Sequence, residues 1–270
     1  MSSSELFQTL TVISDRICGH MAQRFILEEE ARLLIPKQNY ERISQLSNEM
    51  THHVSEIRAL QLNVMEFAID DKDLNSILLR KNIMESGTLL NGEKSVNFRC
   101  YPVIPEMLYA GEIPSSVMDE PLHMKLNELA RLGITKIINL TEEGEKNFKG
   151  IPLRDYDEYL REIETQNGKS MEMIRLSIPD LDIPSVEHMK DIQSTIRNFL
   201  FNGETVYVHC WGGIGRTGTV IGCFLIENGI LTTNNVLTYI EFLKRNTEIH
   251  DRNSPETDDQ CNFIYSWEIL

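Results

Sequence analysis

The chain is short of basic residues and of paired cysteines, and it contains no long hydrophobic run. Lysine and arginine number 26 against 41 aspartates and glutamates, giving a formal net charge of −15 and a pI near 4.9. Such a balance disfavours nonspecific adhesion to nucleic acid or to anionic lipid, so neither nucleic acid nor a membrane is expected as a partner. An anionic substrate must instead be drawn in by a local positive site. The five cysteines, Cys18, Cys100, Cys210, Cys223 and Cys261, are scattered and form no C-x-x-C pair. That excludes a disulfide framework or a zinc site of ordinary spacing and favours a reducing, cytoplasmic compartment. No apolar stretch reaches membrane-spanning length. The opening "MSSSELFQTLTV" lacks the basic segment and apolar core of a secretory signal. What remains is a soluble chain whose 41% hydrophobic content is enough for a sizeable core.

Residues 1–90 read as helical throughout. From Tyr40 to about Ala68, the positions Ile43, Leu46, Met50, His53, Ile57, Leu60, Val64 and Phe67 recur by threes and fours, a heptad-like stripe. Asp70, Asp71 and Asp73 then break the pattern and offer a cap for a helix from Leu74 to about Glu85, closed by Gly87. Two readings of this region stand: a bundle packed on itself or its neighbour, and a surface for self-association or a protein partner. Residues 91–96 read as a linker within "SGTLLNGEKSVNF". Beyond it, strands alternate with helices: "KIINL" at 136–140, "EMIRLSI" at 172–178 and "TVYVH" at 205–209, the last apolar enough to be central. Helices are expected at 123–132, from Pro184-Ser185 to about Phe201, at 216–228 and at 234–245. The alternation predicts a three-layer α/β domain over 97–270.

The stretch "VHCWGGIGRTGT" carries the chemistry. It places a cysteine between an apolar strand and a glycine-rich turn that opens a helix. Gly212, Gly213 and Gly215 let successive backbone N–H groups point inward, and the helix start adds its positive dipole end. Such a cradle suits a tetrahedral dianion and also favours a thiolate, which makes Cys210 a candidate nucleophile. Arg216 is placed to grip two phosphate oxygens with its planar fork. Thr217 can donate its hydroxyl to the sulfur and stabilise it as a leaving group. A bare cysteine and arginine at this spacing is common by chance; with His209, Gly213, Gly215 and Thr217 added it is rare.

That loop resembles the signature of the cysteine-dependent protein tyrosine and dual-specificity phosphatase superfamily. "VIPEMLYAGEIP" (103–114) and "INLTEEGE" (138–145) are similar to other segments of its dual-specificity branch. The resemblance covers about 97–270 and implies a domain with a central mixed sheet flanked by helices, preceded here by an all-helical segment. It implies phosphomonoester hydrolysis on phosphoprotein through a cysteinyl-phosphate, without metal or other cofactor. Trp211, Gly212, Gly213, Ile214, Gly215 and Arg216 would hold the phosphate, and His209 would orient the cysteine loop. The family's general acid is an aspartate in a D-x-x-V-P setting, which "IPDLDIPS" (178–185) matches with Asp180. Asp182 is its nearest competitor, and Asp155 and Asp157 are more distant ones. Gln260, in "SPETDDQCNFI" (254–264), matches a residue that positions the hydrolytic water; its plainer reading is a turn residue at a helix start. Trp211 packs beneath the loop or lines the pocket rim. Ile214 stands where inositol-lipid phosphatases often carry lysine, which weighs against a polyphosphorylated headgroup. Cys223 reads as core. His52 and His53 face different sides of a helix and make an improbable metal pair. The competing functions are an inositol phosphate, phosphoinositide or RNA 5′-phosphate hydrolase, and a phosphate-binding module without turnover.

Overall fold

The computed structural model describes residues 3–65, 73–86, 89, 98–116, 118–146, 149–152, 154–163 and 168–267. Phe67, Asp70, Asp71, Gly87 and the 91–96 linker therefore lie outside the described residues. The chain divides into two compact units: residues before position 92 with Leu225–Phe242, and residues from 92 to Phe224 with Leu243–Trp267.

The first unit contains α1 (Ser3–Leu34), α2 (Tyr40–Met65) and α3 (Leu74–Met84). Of the α2 stripe, Leu46, Ile57, Leu60 and Val64 are buried, while Ile43, Met50 and His53 are only partly so. The α1 helix supplies Leu10, Ile17, Cys18 and Met21 to the core. Asp73 caps α3 as its composition predicts, its carboxylate accepting from the Ser76 amide at 3.0 Å. Asp15 of α1 accepts from the Thr232 amide and hydroxyl at 2.8 and 3.0 Å, so an N-terminal helix holds a turn more than two hundred residues away. His53 meets His20 across the α1–α2 pair, Nδ1 to Nδ1, at 2.9 Å.

The second unit is a five-stranded mixed sheet flanked by helices. Its strands are β1 (Cys100–Ile104), β2 (Leu108–Gly111), β3 (Lys136–Asn139), β4 (Glu172–Arg175) and β5 (Val206–His209), in the spatial order β1-β2-β5-β3-β4. The β1–β2 hairpin is antiparallel and the other three pairings are parallel. Strand β5 is central and wholly buried, in keeping with its continuous apolar run. One face of the sheet is covered by α4 (Asp119–Arg131), whose Leu122, Leu126 and Leu129 share a core with Ile137 and Tyr207. Residues at neighbouring positions point the other way, and α6 (Val186–Phe201) packs against β5. Its Met189, Ile192, Ile196 and Leu200 are buried. Between these lies α5 (Asp157–Leu160); after β5 the chain continues into α7 (Gly215–Glu227), then α8 (Val236–Lys244), most of which belongs to the first unit, and α9 (Asp258–Tyr265). Cys223 is fully buried in α7, as core.

What this topology does for the site is set by register. Gly111, His209 and Asn139 end three adjacent parallel strands at one level. The glycine loop thus emerges from the carboxyl edge of the central strand, where open α/β sheets leave a crevice.

Candidate active site

Cys210 follows the last residue of β5 and is 3% exposed. The loop after it is forced close to β2. Gly213 has φ 73°, and a Cβ there would lie 2.4 Å from the carbonyl carbon of Gly111. Neither the conformation nor the space admits another residue. The Trp211 carbonyl accepts from the Ile113 amide at 3.2 Å, which ties the loop to the segment after β2. Among the described residues, no acceptor is found for the backbone N–H groups of Trp211, Gly212, Gly213 or Ile214. Four unspent donors next to a cysteine are the kind of set that can hold an anion. The Ile214 side chain itself is buried at 2% exposure, and its carbonyl accepts from the Ser254 hydroxyl at 2.8 Å. Trp211 is partly exposed, with its indole Nε1 enclosed and unbonded.

His209 is fully buried beneath the loop. Its Nδ1 lies 2.9 Å from the Cys210 carbonyl and its Nε2 2.6 Å from the Tyr156 hydroxyl. Because a carbonyl only accepts, Nδ1 carries the proton and Nε2 accepts from Tyr156. Burial pushes the His209 pKa down to about 3, so the ring is neutral at ordinary pH and acts as a brace between strand and loop. Thr217 is buried too, and its hydroxyl makes no hydrogen bond here.

Arg216 is also buried, at 2% exposure. Its two terminal nitrogens meet Glu145 at 2.8 and 2.7 Å, and one also donates to the Ile178 carbonyl at 3.1 Å. Asp180 lies 2.9 Å from the guanidinium. Burial works against the charge, but the Glu145 hydrogen bonds and the electrostatic pull of Cys210, Glu145 and Asp180 outweigh it and push the pKa above the ordinary arginine value.

The sequence candidates are thus sorted by position. Cys210, Arg216, His209 and Thr217 lie within or beside the loop, and Asp180 reaches Arg216 from the segment before α6. Asp182 accepts its neighbour Ile183's amide at 2.8 Å, and its carbonyl receives the Gln260 amide at 3.1 Å. Asp155 accepts from the Asp157 amide at 3.2 Å in the turn into α5. Gln260 is fully buried in the first turn of α9, its Oε1 accepting from the Glu256 and Thr257 amides. Two contributors escape a reading of the sequence, Glu145 and Tyr156. Glu145 is one of three glutamates in "TEEGE" and Tyr156 sits among exposed acids in "RDYDEY"; neither spacing marks which residue turns inward. A cavity of about 250 Å³ adjoins them, lined by Asn139, Thr141, Glu145, Tyr156 and Arg175 among others.

A family model described as "Polymorphic toxin system, DSP-PTPase phosphatase" matches residues 114–230. Phosphatidylglycerophosphate phosphatase PTPMT2 of Arabidopsis thaliana is 28% identical over 157 residues, covering 57% of this chain and 59% of its own. Tyrosine-protein phosphatase CDC14 of Saccharomyces cerevisiae is 25% identical over 132 residues, covering 48% of this chain and 21% of its own. The matched stretch spans less than two thirds of either curated relative. Among solved structures, Tk-PTP in its active form superposes with a TM-score of 0.47 at 22% identity, covering 63% of this chain and 96% of that one.

Proposed function

We propose that this chain, which belongs to the cysteine-based protein tyrosine and dual-specificity phosphatase superfamily, hydrolyses phosphomonoesters on phosphoprotein through a cysteinyl-phosphate. The observation that carries this reading is that one loop holds a buried cysteine, four backbone amides without an acceptor and the buried Arg216. A phosphate dianion held there presents phosphorus to the Cys210 sulfur. The S–P bond forms as the ester P–O bond breaks, and Asp180 delivers its proton to the leaving oxygen. Water then attacks the phosphoenzyme, Asp180 takes up the water's proton, and thiolate and inorganic phosphate separate. Thr217 would support the departing sulfur. None of these steps calls for a metal.

Turnover of para-nitrophenyl phosphate tests the scheme. Cys210→Ser is expected to abolish it, and Arg216→Lys to cut it by on the order of 10²–10³. Asp180→Asn should matter most for a poor leaving group such as phosphoserine; an undiminished rate there would remove Asp180 as the acid. Wild-type turnover that chelator suppresses would count against the scheme, and full phosphate-analogue binding without turnover would leave a binding module.

A second reading is favoured by the Arabidopsis relative, a phosphatidylglycerophosphate phosphatase: a phosphatase of a phosphoglycerol headgroup. Ile214 gives the loop no extra cation for such a substrate. Vesicles containing phosphatidylglycerophosphate, run beside phosphotyrosine and phosphoserine peptides, separate the two readings by kcat/KM.

A further inference from the structure

The Asp180 segment is bent in a way that its own sequence does not favour. Leu181, a bulky and 55% exposed residue, has φ 62°, the left-handed region that leucine seldom adopts. A conformation of that kind persists only where surrounding contacts over-determine it. Three do so here. The Asp182 amide closes a turn onto the Pro179 carbonyl at 3.2 Å. Asp180 meets Arg216 on one side of Leu181. On the other side, the Gln260 amide donates to the Asp182 carbonyl at 3.1 Å.

The geometry points to Gln260 as a positioning residue that latches the acid-bearing segment in its closed place over Arg216, a role that rests on the hydrolase reading above. The side chain is built for a strut. It is fully buried, and its Oε1 is fixed by the Glu256 and Thr257 amides at 3.0 and 3.2 Å. That leaves Nε2 aimed at one backbone carbonyl. Gln260 also borders the catalytic loop: a Cβ on Gly215 would lie 3.0 and 3.1 Å from its two terminal atoms. One amide thereby spans the start of α7, the start of α9 and the segment carrying the proton donor. With one of its two Nε2 hydrogens on the Asp182 carbonyl, Gln260 acts on the step that needs Asp180 placed.

Gln260→Glu is the informative variant. A carboxylate keeps the acceptor for Glu256 and Thr257 and suits the same capping position, but sets an acceptor against the Asp182 carbonyl. Amide hydrogen exchange at Leu181–Ile183 is expected to speed up by about tenfold or more, with the melting temperature recorded to confirm a folded chain. In turnover, phosphoserine hydrolysis should fall about tenfold or more relative to wild type, while para-nitrophenyl phosphate, whose leaving group needs little protonation, should change far less. In an Asp180→Asn background the same substitution should have no further effect on phosphoserine, because its target is already lost. Unchanged exchange overturns the latch. An equal loss on both substrates, with phosphoenzyme accumulating, overturns it in favour of an action on the second step. A wild-type chain without turnover would remove the hydrolase reading instead, and the exchange difference alone would then decide whether the strut exists.

Discussion

Arg216 answers to two carboxylates before any phosphate arrives. Glu145 takes both terminal nitrogens while Asp180 approaches one of them, which leaves the guanidinium oriented and charged in a nearly dry place. Orientation of this kind removes part of the entropy a flexible arginine loses on binding phosphate. Glu145→Gln keeps one acceptor but removes the charge, and it should lower stability by about 2 kcal/mol. It should also raise KM more than it lowers kcat, since the ground-state and transition-state complexes lose the same alignment; denaturant titration and steady-state kinetics check the two halves. His209 carries a different signature. Its folded pKa of about 3 lies below the unfolded value near 6.5 because burial penalises the cation. The stability it contributes is complete above about pH 6.5 and is lost as pH falls toward about 3. Wild type should therefore lose stability more steeply between about pH 6 and pH 4 than His209→Gln, which cannot gain a proton there, as followed by urea unfolding at fixed pH. Tyr156, which hands its hydroxyl to the ring, stays neutral throughout: burial holds its pKa well above the ordinary value.

Elements are where sequence patterning proves most dependable. The periodic or β-branched runs read from the chain correspond to α2, β3, β5, α6, α7 and α8 within a few residues, because each is long enough or apolar enough to declare its period. Strand β4 is shorter than its run: "EMIRLSI" at 172–178 pairs only as Glu172–Arg175, after which Leu176 and Ile178 continue with isolated bonds to Asn139 and Leu140. The segment 103–114 resolves into a hairpin, since Glu106 turns with φ 62° between β1 and β2. Capping residues mark starts reliably. Ser185 accepts from the His188 amide at 3.1 Å at the head of α6, and Ser185→Ala should cost about 1 kcal/mol. That corresponds to roughly 2–4 °C in Tm for a chain of this class, measurable by calorimetry. Because the leaving group of para-nitrophenyl phosphate needs little protonation from the Asp180 segment before α6, the same variant should leave its turnover nearly intact.

At the scale of the whole molecule, charge and connectivity make their own predictions. A net charge of −15 opposes an anionic substrate until it reaches the loop. Raising salt from about 0.01 M to about 0.15 M shortens the screening length from about 30 Å to about 8 Å, so kcat/KM for a dianion should rise a few-fold, and with an inert salt no such gain should appear for a neutral phosphotriester's affinity. Removing residues before position 97 tests connectivity. Leu225–Phe242 cluster with the N-terminal helices, Thr232 relies on Asp15, and a Cβ on Gly229 would meet Thr11 and Phe7. The truncated chain should expose Ile230, Leu231 and Val236 and lose several kcal/mol, seen as a large fall in Tm or as aggregation on expression. By itself the sequence marked the glycine loop proposed to hold phosphate, with its cysteine and its arginine, because strand, glycines and helix start are contiguous there and their physics is local. Only the tertiary structure decided what holds that arginine and braces that histidine. Glu145 lies 71 residues from Arg216 and Tyr156 lies 53 from His209, and partners at such separations are chosen by which strand ends the sheet brings level.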